Sequence, residues 1–167
     1  MFSAELTIAP LDPSETDALG RIFFDAIHKG AGDFYSPEQR HAWAPSRPSG
    51  PDWQARLSGG ATLVARIGNE PVGFMTLTED GYIALAFVDP AYQRRSIGKA
   101  IYAATEEKAR AEEMERLHTQ ASHLVKGLFE AVGWEVVKQQ TVERSGVQLT
   151  NFVMEKWLKP TQRRDPS

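Results

Sequence analysis

The run Val88-Asp89-Pro90-Ala91-Tyr92-Gln93-Arg94-Arg95-Ser96-Ile97-Gly98-Lys99-Ala100 gathers the residue types that hold an anion. It joins an apolar stretch, Tyr82 to Val88, to an alanine-rich helical pattern through a short polar turn. That turn carries Arg94, Arg95 and Lys99 and ends in Gly98. A strand entering a helix in this way leaves the first-turn N–H groups unpaired. Those donors, with the positive end of the helix dipole, suit a pyrophosphate. Composition closes off other chemistries. The 167 residues include no cysteine, which excludes disulfides, thiolate metal sites and a cysteinyl-acyl intermediate. His28, His41, His118 and His123 lack the close pairing of a zinc site, so no metal is expected.

The elements that must position this turn follow from local pattern. Glu5 to Ile8 reads as a first strand. Asp12-Pro13-Ser14-Glu15 is a helix start, with an Asp cap, Pro at the first helical position and Glu at the third. Leu19, Ile22, Phe23, Ala26 and Ile27 follow at helical spacing. Ser36-Pro37-Glu38-Gln39 repeats that start for a short helix carrying His41 and Trp43, and Pro51 to Leu57 fits one or two further turns. Segments 62–67 and 71–78 are strands flanking a hairpin turn at Gly68-Asn69-Glu70, and 82–88 is a nearly continuous apolar strand. A helix from Ile97 to about Met114 should approach the sheet through Ala100, Ile101, Ala103 and Ala104, with Glu106 pairing to Arg110. Leu117 to Ala121 is a short strand, Ser122 caps a helix that stops at Gly133, and two strands around Ser145-Gly146 end near Trp157. One domain over 1–158 with a polar tail, 159–167, is the expectation for this length.

Gln93-x-x-Ser96-x-Gly98 resembles the Gln/Arg-x-x-Gly-x-Gly/Ala signature of the GNAT superfamily of N-acyltransferases, whose cofactor is acetyl-CoA. The run from Leu128 to Trp134 is similar to that family's Phe-Tyr-Glu-x-x-Gly-Phe segment. Tyr35-Ser36-Pro37, Trp43, Lys138-Gln139-Gln140 and Asn151-Phe152-x-Met154 resemble a bacterial, YafP-like subgroup. The resemblance covers essentially the whole element order. It implies an α/β (α+β) fold, a central mixed, mostly antiparallel sheet flanked by helices. It further implies that Gln93, Arg94, Arg95, Ser96, Ile97, Gly98 and Lys99 bind the diphosphate of acetyl-CoA as co-substrate. Pantetheine would pair like a strand with Phe87 and Val88, where a backbone N–H would face the acetyl oxygen.

Two residues depart from the family pattern. Ser96 replaces a glycine: a positive φ there would cost serine on the order of 1–2 kcal/mol of strain, whereas a helical φ, expected because the rest of the motif is intact, leaves its hydroxyl for a phosphate. Phe129 replaces a tyrosine that relatives offer as an acid for the leaving thiolate. A thiol of pKa about 8.5 leaves at pH 7 with a penalty of only about 2 kcal/mol, whereas deprotonating an alkylamine of pKa about 10.4 costs about 4.6 kcal/mol. The base therefore matters more than the lost phenol. By position in the resembling fold, the catalytic candidates are Glu79, His118, Ser122 and Tyr35. Each also has a plain reading: turn carboxylate, core histidine, helix cap and packing aromatic. Ser122 is in addition a candidate ligand of the cofactor's sulfur. Phe34, Tyr35 and Trp43, with Trp53 close by, fall where relatives build the acceptor wall.

The activity implied is transfer of acetyl from acetyl-CoA to a primary amine of a small molecule or peptide, by direct attack in a ternary complex. A non-catalytic CoA-binding regulatory module and an acetyltransferase acting on aminoacyl-tRNA are the alternatives. A net charge of −3 gives no general attraction to nucleic acid, and no long apolar run points to a membrane. The chain reads as cytoplasmic, and the resemblance leaves room for a homodimer through the last strand.

Overall fold

The computed structural model describes residues 5–159, except for the side chains of Gln93, Arg94 and Arg95. Its elements run β1 (Leu6–Pro10), α1 (Thr16–Gly30), α2 (Pro37–Trp43), α3 (Gly50–Ser58), β2 (Ala61–Ile67), β3 (Glu70–Leu77), β4 (Tyr82–Val88), α4 (Ile97–Ala111), β5 (Arg116–Ser122), α5 (His123–Ala131), β6 (Glu135–Arg144) and β7 (Val147–Trp157). Short 3-10 turns at Pro13–Glu15 and Pro90–Arg95 lead into α1 and α4. Both expected capping boxes form. Asp12 accepts from the Ser14 N–H while Glu15 reaches back to Asp12, and Ser36 and Gln39 do the same at α2. At the β6–β7 hairpin Ser145 and Gly146 both take positive φ, 50° and 78°, the backbone that a tight two-residue turn requires. Among the described residues no helix is long and apolar enough to cross a membrane.

The strands form one sheet in the order β1-β2-β3-β4-β5-β7-β6. All neighbours are antiparallel except β4 and β5, which pair in parallel at only Tyr82–His118 and Ile83–Thr119. Beyond that point the two strands part. A bulge accompanies the split: Thr76 faces Leu85 and Leu77 faces Ile83, so Ala84 has no partner on β3. The extra residue switches the sides of β4. Ile83 packs in the core under α4, with Met75, Leu77, Leu117 and Met154, whereas Leu85 and Phe87 join Phe23, Ile27, Val64 and Phe74 under α1.

Helix α4 buries Ile97, Ile101, Tyr102, Thr105 and Ala109; of the expected contacts Ile101 is made, Ala100 and Ala104 are half-buried and Ala103 faces solvent. Close approach is provided from the sheet side instead. A Cβ on Gly73 would stand 2.8 Å from Ile101 Cδ1 and 3.1 Å from the Phe87 carbonyl oxygen, so a larger residue would make Ile101 and the neighbouring strand give way. One polar cluster crosses the same face. Tyr102 Oη donates to Glu106 (2.6 Å) and accepts from Trp134 Nε1 (2.9 Å), while Lys156 Nζ donates to Glu106 (2.7 Å) and to the Val132 carbonyl (2.8 Å). Arg110 completes it at 2.9 Å from Glu106. Burial works against ionisation of Glu106, but the donors from Lys156, Tyr102 and Arg110 outweigh it and hold the carboxyl at about 2.

Candidate functional site

Two hollows meet where β4 and β5 separate. The first is a groove lined by Phe87, Val88, Ser96, Gly98, Lys99, Leu124, Val125 and Leu128, running from the first turn of α4 to the end of β4. Its position follows from a fixed turn. Asp89 accepts from the Ala91 N–H and is bound by Arg21 of α1 at 3.1 Å, which ties the entrance of α4 to the opposite face of the sheet. Ile97 is 1% exposed, so only its amide, not its side chain, can face a ligand there. Ser96 does not adopt the expected helical φ. It sits at φ 59°, ψ 25°, the left-handed conformation in which the family has glycine, and for serine that costs on the order of 1–2 kcal/mol. The side chains of Gln93, Arg94 and Arg95 lie outside the described residues.

The second hollow is a cavity on the α1 side, and Phe87 and Val125 belong to both walls. Tyr35 and Trp43 close one side, Tyr82, Leu85 and Phe87 of β4 the floor, and Gln120, Ser122, Leu149 and Asn151 another wall. Arg56 of α3 and Arg144 at the end of β6 line it as well. The β5-facing edge of β4 from Ala84 to Phe87 borders this space without a strand partner. Among the described residues, no carboxylate and no imidazole lines the cavity.

The sequence-derived candidates fare unequally. Ser122 is in the wall and caps α5, accepting from the Leu124 N–H at 3.2 Å. As acceptor it uses a lone pair, so its own O–H stays available for a ligand. Tyr35 is also in the wall, but its hydroxyl donates to the Thr150 carbonyl (2.8 Å) and accepts from the His123 N–H (2.9 Å). Its proton is committed to the fold, and burial pushes the phenol up, opposed only in part by the His123 amide. Glu79 is a turn residue at the far end of β4, lining a different depression with Asp80, Lys108 and Glu112. His118 lies outside the cavity, its ring against Tyr82 with centroids 5.1 Å apart and its Nε2 3.9 Å from Asp80. It is on the cavity's face of β5, but one residue pair below Gln120, with Tyr82 between.

Of the aromatic candidates, Trp43 lines the cavity and Phe34 does not; it is 51% exposed and stacks on His123. Trp53 is a core residue, with its Nε1 donating to the Thr16 carbonyl. The cavity residues that sequence reasoning passed over are Arg56, Tyr82, Gln120, Arg144 and the side chain of Asn151. Asn151 Oδ1 is buried with no hydrogen-bond partner among the described residues. A buried acceptor left this way is costly unless something else supplies a donor.

Comparison with known proteins places this architecture. Residues 33–156 match the acetyltransferase (GNAT) domain family. The chain is 36% identical over 149 residues to the uncharacterised N-acetyltransferase YafP of Escherichia coli, spanning 89% of this chain and 94% of that one. Among solved structures, a GCN5-related N-acetyltransferase from Rhodopseudomonas palustris superposes with a TM-score of 0.87 at 32% identity, over 95% of this chain and 99% of that one. The fold is also that of yncA from Salmonella typhimurium, solved with its cofactor acetyl-CoA (TM-score 0.72, 17% identity, 98% and 99% covered). The chain therefore belongs to the GNAT family of acetyltransferases.

Proposed function

We propose that the groove holds acetyl-CoA, that the cavity holds a primary amine, and that acetyl passes directly between them where the hollows meet. The observation that carries this reading is the shared wall of Phe87 and Val125 at the parting of β4 and β5. In it, the amides of Ser96 to Lys99 take the diphosphate at the helix N-terminus, with Lys99 at the rim. Gly98 leaves room there: even a Cβ would come within 3.2 Å of Leu128. Pantetheine runs along the open edge of β4, as an added strand would.

The amine nitrogen attacks the thioester carbonyl, the C–S bond breaks with its electron pair on sulfur, and one proton leaves the nitrogen. A backbone N–H of β4 near Phe87 steadies the charge that grows on the carbonyl oxygen. The Ser122 hydroxyl donates to the departing sulfur. With no carboxylate or imidazole among the described cavity residues, the nitrogen loses its proton to water in the cavity. The rate then follows the fraction of neutral amine.

Titration calorimetry with acetyl-CoA and a CoA-release assay over an amine panel test the proposal. Saturable binding, lost by on the order of a hundredfold in Gly98→Glu because a carboxylate then sits in the anion site, is the expected result. For a good acceptor, log kcat/KM should climb with unit slope up to the amine's own pKa. No acetyl-CoA binding by folded protein defeats the proposal, and a bell-shaped profile set by an enzyme base defeats its proton path.

A further inference from the structure

The cavity holds positive charge that the fold does not use. Arg21, Arg66, Arg110 and Arg116 each meet a carboxylate at 3.2 Å or less. Arg56 and Arg144 line the cavity, and among the described residues neither forms an ion pair. Arg56 is held nonetheless. Its guanidinium lies 5.6 Å from the ring centre of Phe23 and 5.4 Å from that of Trp53, contacts that fix its direction without neutralising it. The two cations sense each other. Burial, and then the charge of Arg144, hold Arg56 below the usual guanidinium range. Arg144 also opposes the upward push that burial gives the Tyr82 phenol, so its charge reaches that wall too.

Two like charges facing one half-enclosed space are unfavourable in the free protein. A bound anion turns that cost into attraction, and guanidinium forks match carboxylate geometry. On the adjoining wall, the partnerless Asn151 Oδ1 asks for an N–H donor. Asn151 is paired across the sheet with Ser122 on one side and Gln140 on the other. Arg144, on the same face of β6 as Gln140, stands four residues further along, roughly 13 Å of strand. The cavity is thus polarised, with a donor-seeking end beside the groove and a cationic end away from it. Phe23, Trp43 and Tyr82 lie in its wall as apolar surface.

We infer that the acceptor is an amine that also carries a carboxylate, its nitrogen beside Asn151 and its carboxylate held by Arg56 and Arg144. This rests on the acetyltransferase reading above and names the acceptor class for it. Amines whose nitrogen and carboxylate are separated by an apolar or aromatic body, such as an aminomethyl benzoate, are the simplest members.

Matched acceptors test it on the full chain. 4-(Aminomethyl)benzoate, its amide, benzylamine and 4-(aminomethyl)phenylphosphonate are compared by CoA release. In parallel, quenching of tryptophan fluorescence reads occupancy of the CoA-loaded protein without chemistry, since Trp43 lines the cavity and Trp53 lies under Arg56. The carboxylate should exceed its amide by about tenfold or more in kcat/KM, and the phosphonate should show whether any anion suffices. Arg56→Gln and Arg144→Gln should each raise KM for the carboxylate about tenfold, and together they should erase the preference. Arg47→Gln, in the exposed loop before α3, should leave it intact. Equal use of amide and carboxylate, a preference for the phosphonate, or a preference surviving the double variant overturns the inference. If no acceptor turns over, the quenching decides. Carboxylate-dependent saturation that disappears in the arginine variants upholds the anion site, and its absence overturns it. Failure to bind acetyl-CoA would instead count against the acetyltransferase reading.

Discussion

The two faces of the sheet treat their polar side chains in opposite ways. Under α4, Tyr102, Glu106, Trp134, Lys156 and Arg110 satisfy one another, with donor and acceptor matched within the chain. On the α1 side, Arg56 and Arg144 are exposed at the cavity without an ion pair among the described residues, and Asn151 Oδ1 is buried without a partner. The difference is that one cluster closes on itself and so serves the fold, while the other stays open and so implies a ligand. A buried polar group such as Asn151 Oδ1 costs free energy unless it is paired, and a bound ligand can supply that donor, while cations at the mouth can draw an anion.

That contrast can be broken in several places. The largest expected effect is on the closed side. Lys156→Met strips Glu106 of its nearest cation and should destabilise the protein by about 3 kcal/mol, read as a lower urea midpoint, with acetyl-CoA affinity unchanged. The acid dependence sharpens this. Glu106 is held at about 2 in the folded chain against 4.5 for the free side chain, so its contribution is complete above 4.5 and is lost as pH falls toward 2. Denaturation from pH 6 to 2 should show that loss in the wild type and much less of it in Lys156→Met. On the open side the sign reverses. Asn151→Leu removes an unsatisfied acceptor and should raise stability by about 1 kcal/mol while lowering kcat/KM, a pairing that no structural role for Asn151 would produce. Ser96→Gly should give the smallest change, a gain of about 1 kcal/mol or less as the left-handed strain is relieved, with acetyl-CoA binding little altered. Thermal melts with and without ligand check both variants.

How much of this was legible in the sequence depends on whether a feature is local. The capping boxes at Asp12 and Ser36, the Ser122 cap and the left-handed stop at Gly133 are short-range chemistry, and all form as expected. The Ala84 bulge leaves no trace, because the Tyr82–Val88 run is apolar throughout and carries no alternation that a one-residue slip could disturb. Arg56 and Arg144 are far apart in the chain, and each looks like an ordinary solvated charge until α3 and the β6 end bring them to one cavity. Ser96 failed for a different reason. The glycine that the family pattern has at this position was itself the mark of a positive φ, and Ser96 keeps that backbone.

The Tyr35 hydroxyl, bonded at once to the Thr150 carbonyl and the His123 amide, works as a rivet through three segments. The loop between α1 and α2 cannot swing away as a hinged cover without also releasing β7 and the start of α5. An acceptor would therefore meet a cavity whose Tyr35 wall is already set by the fold.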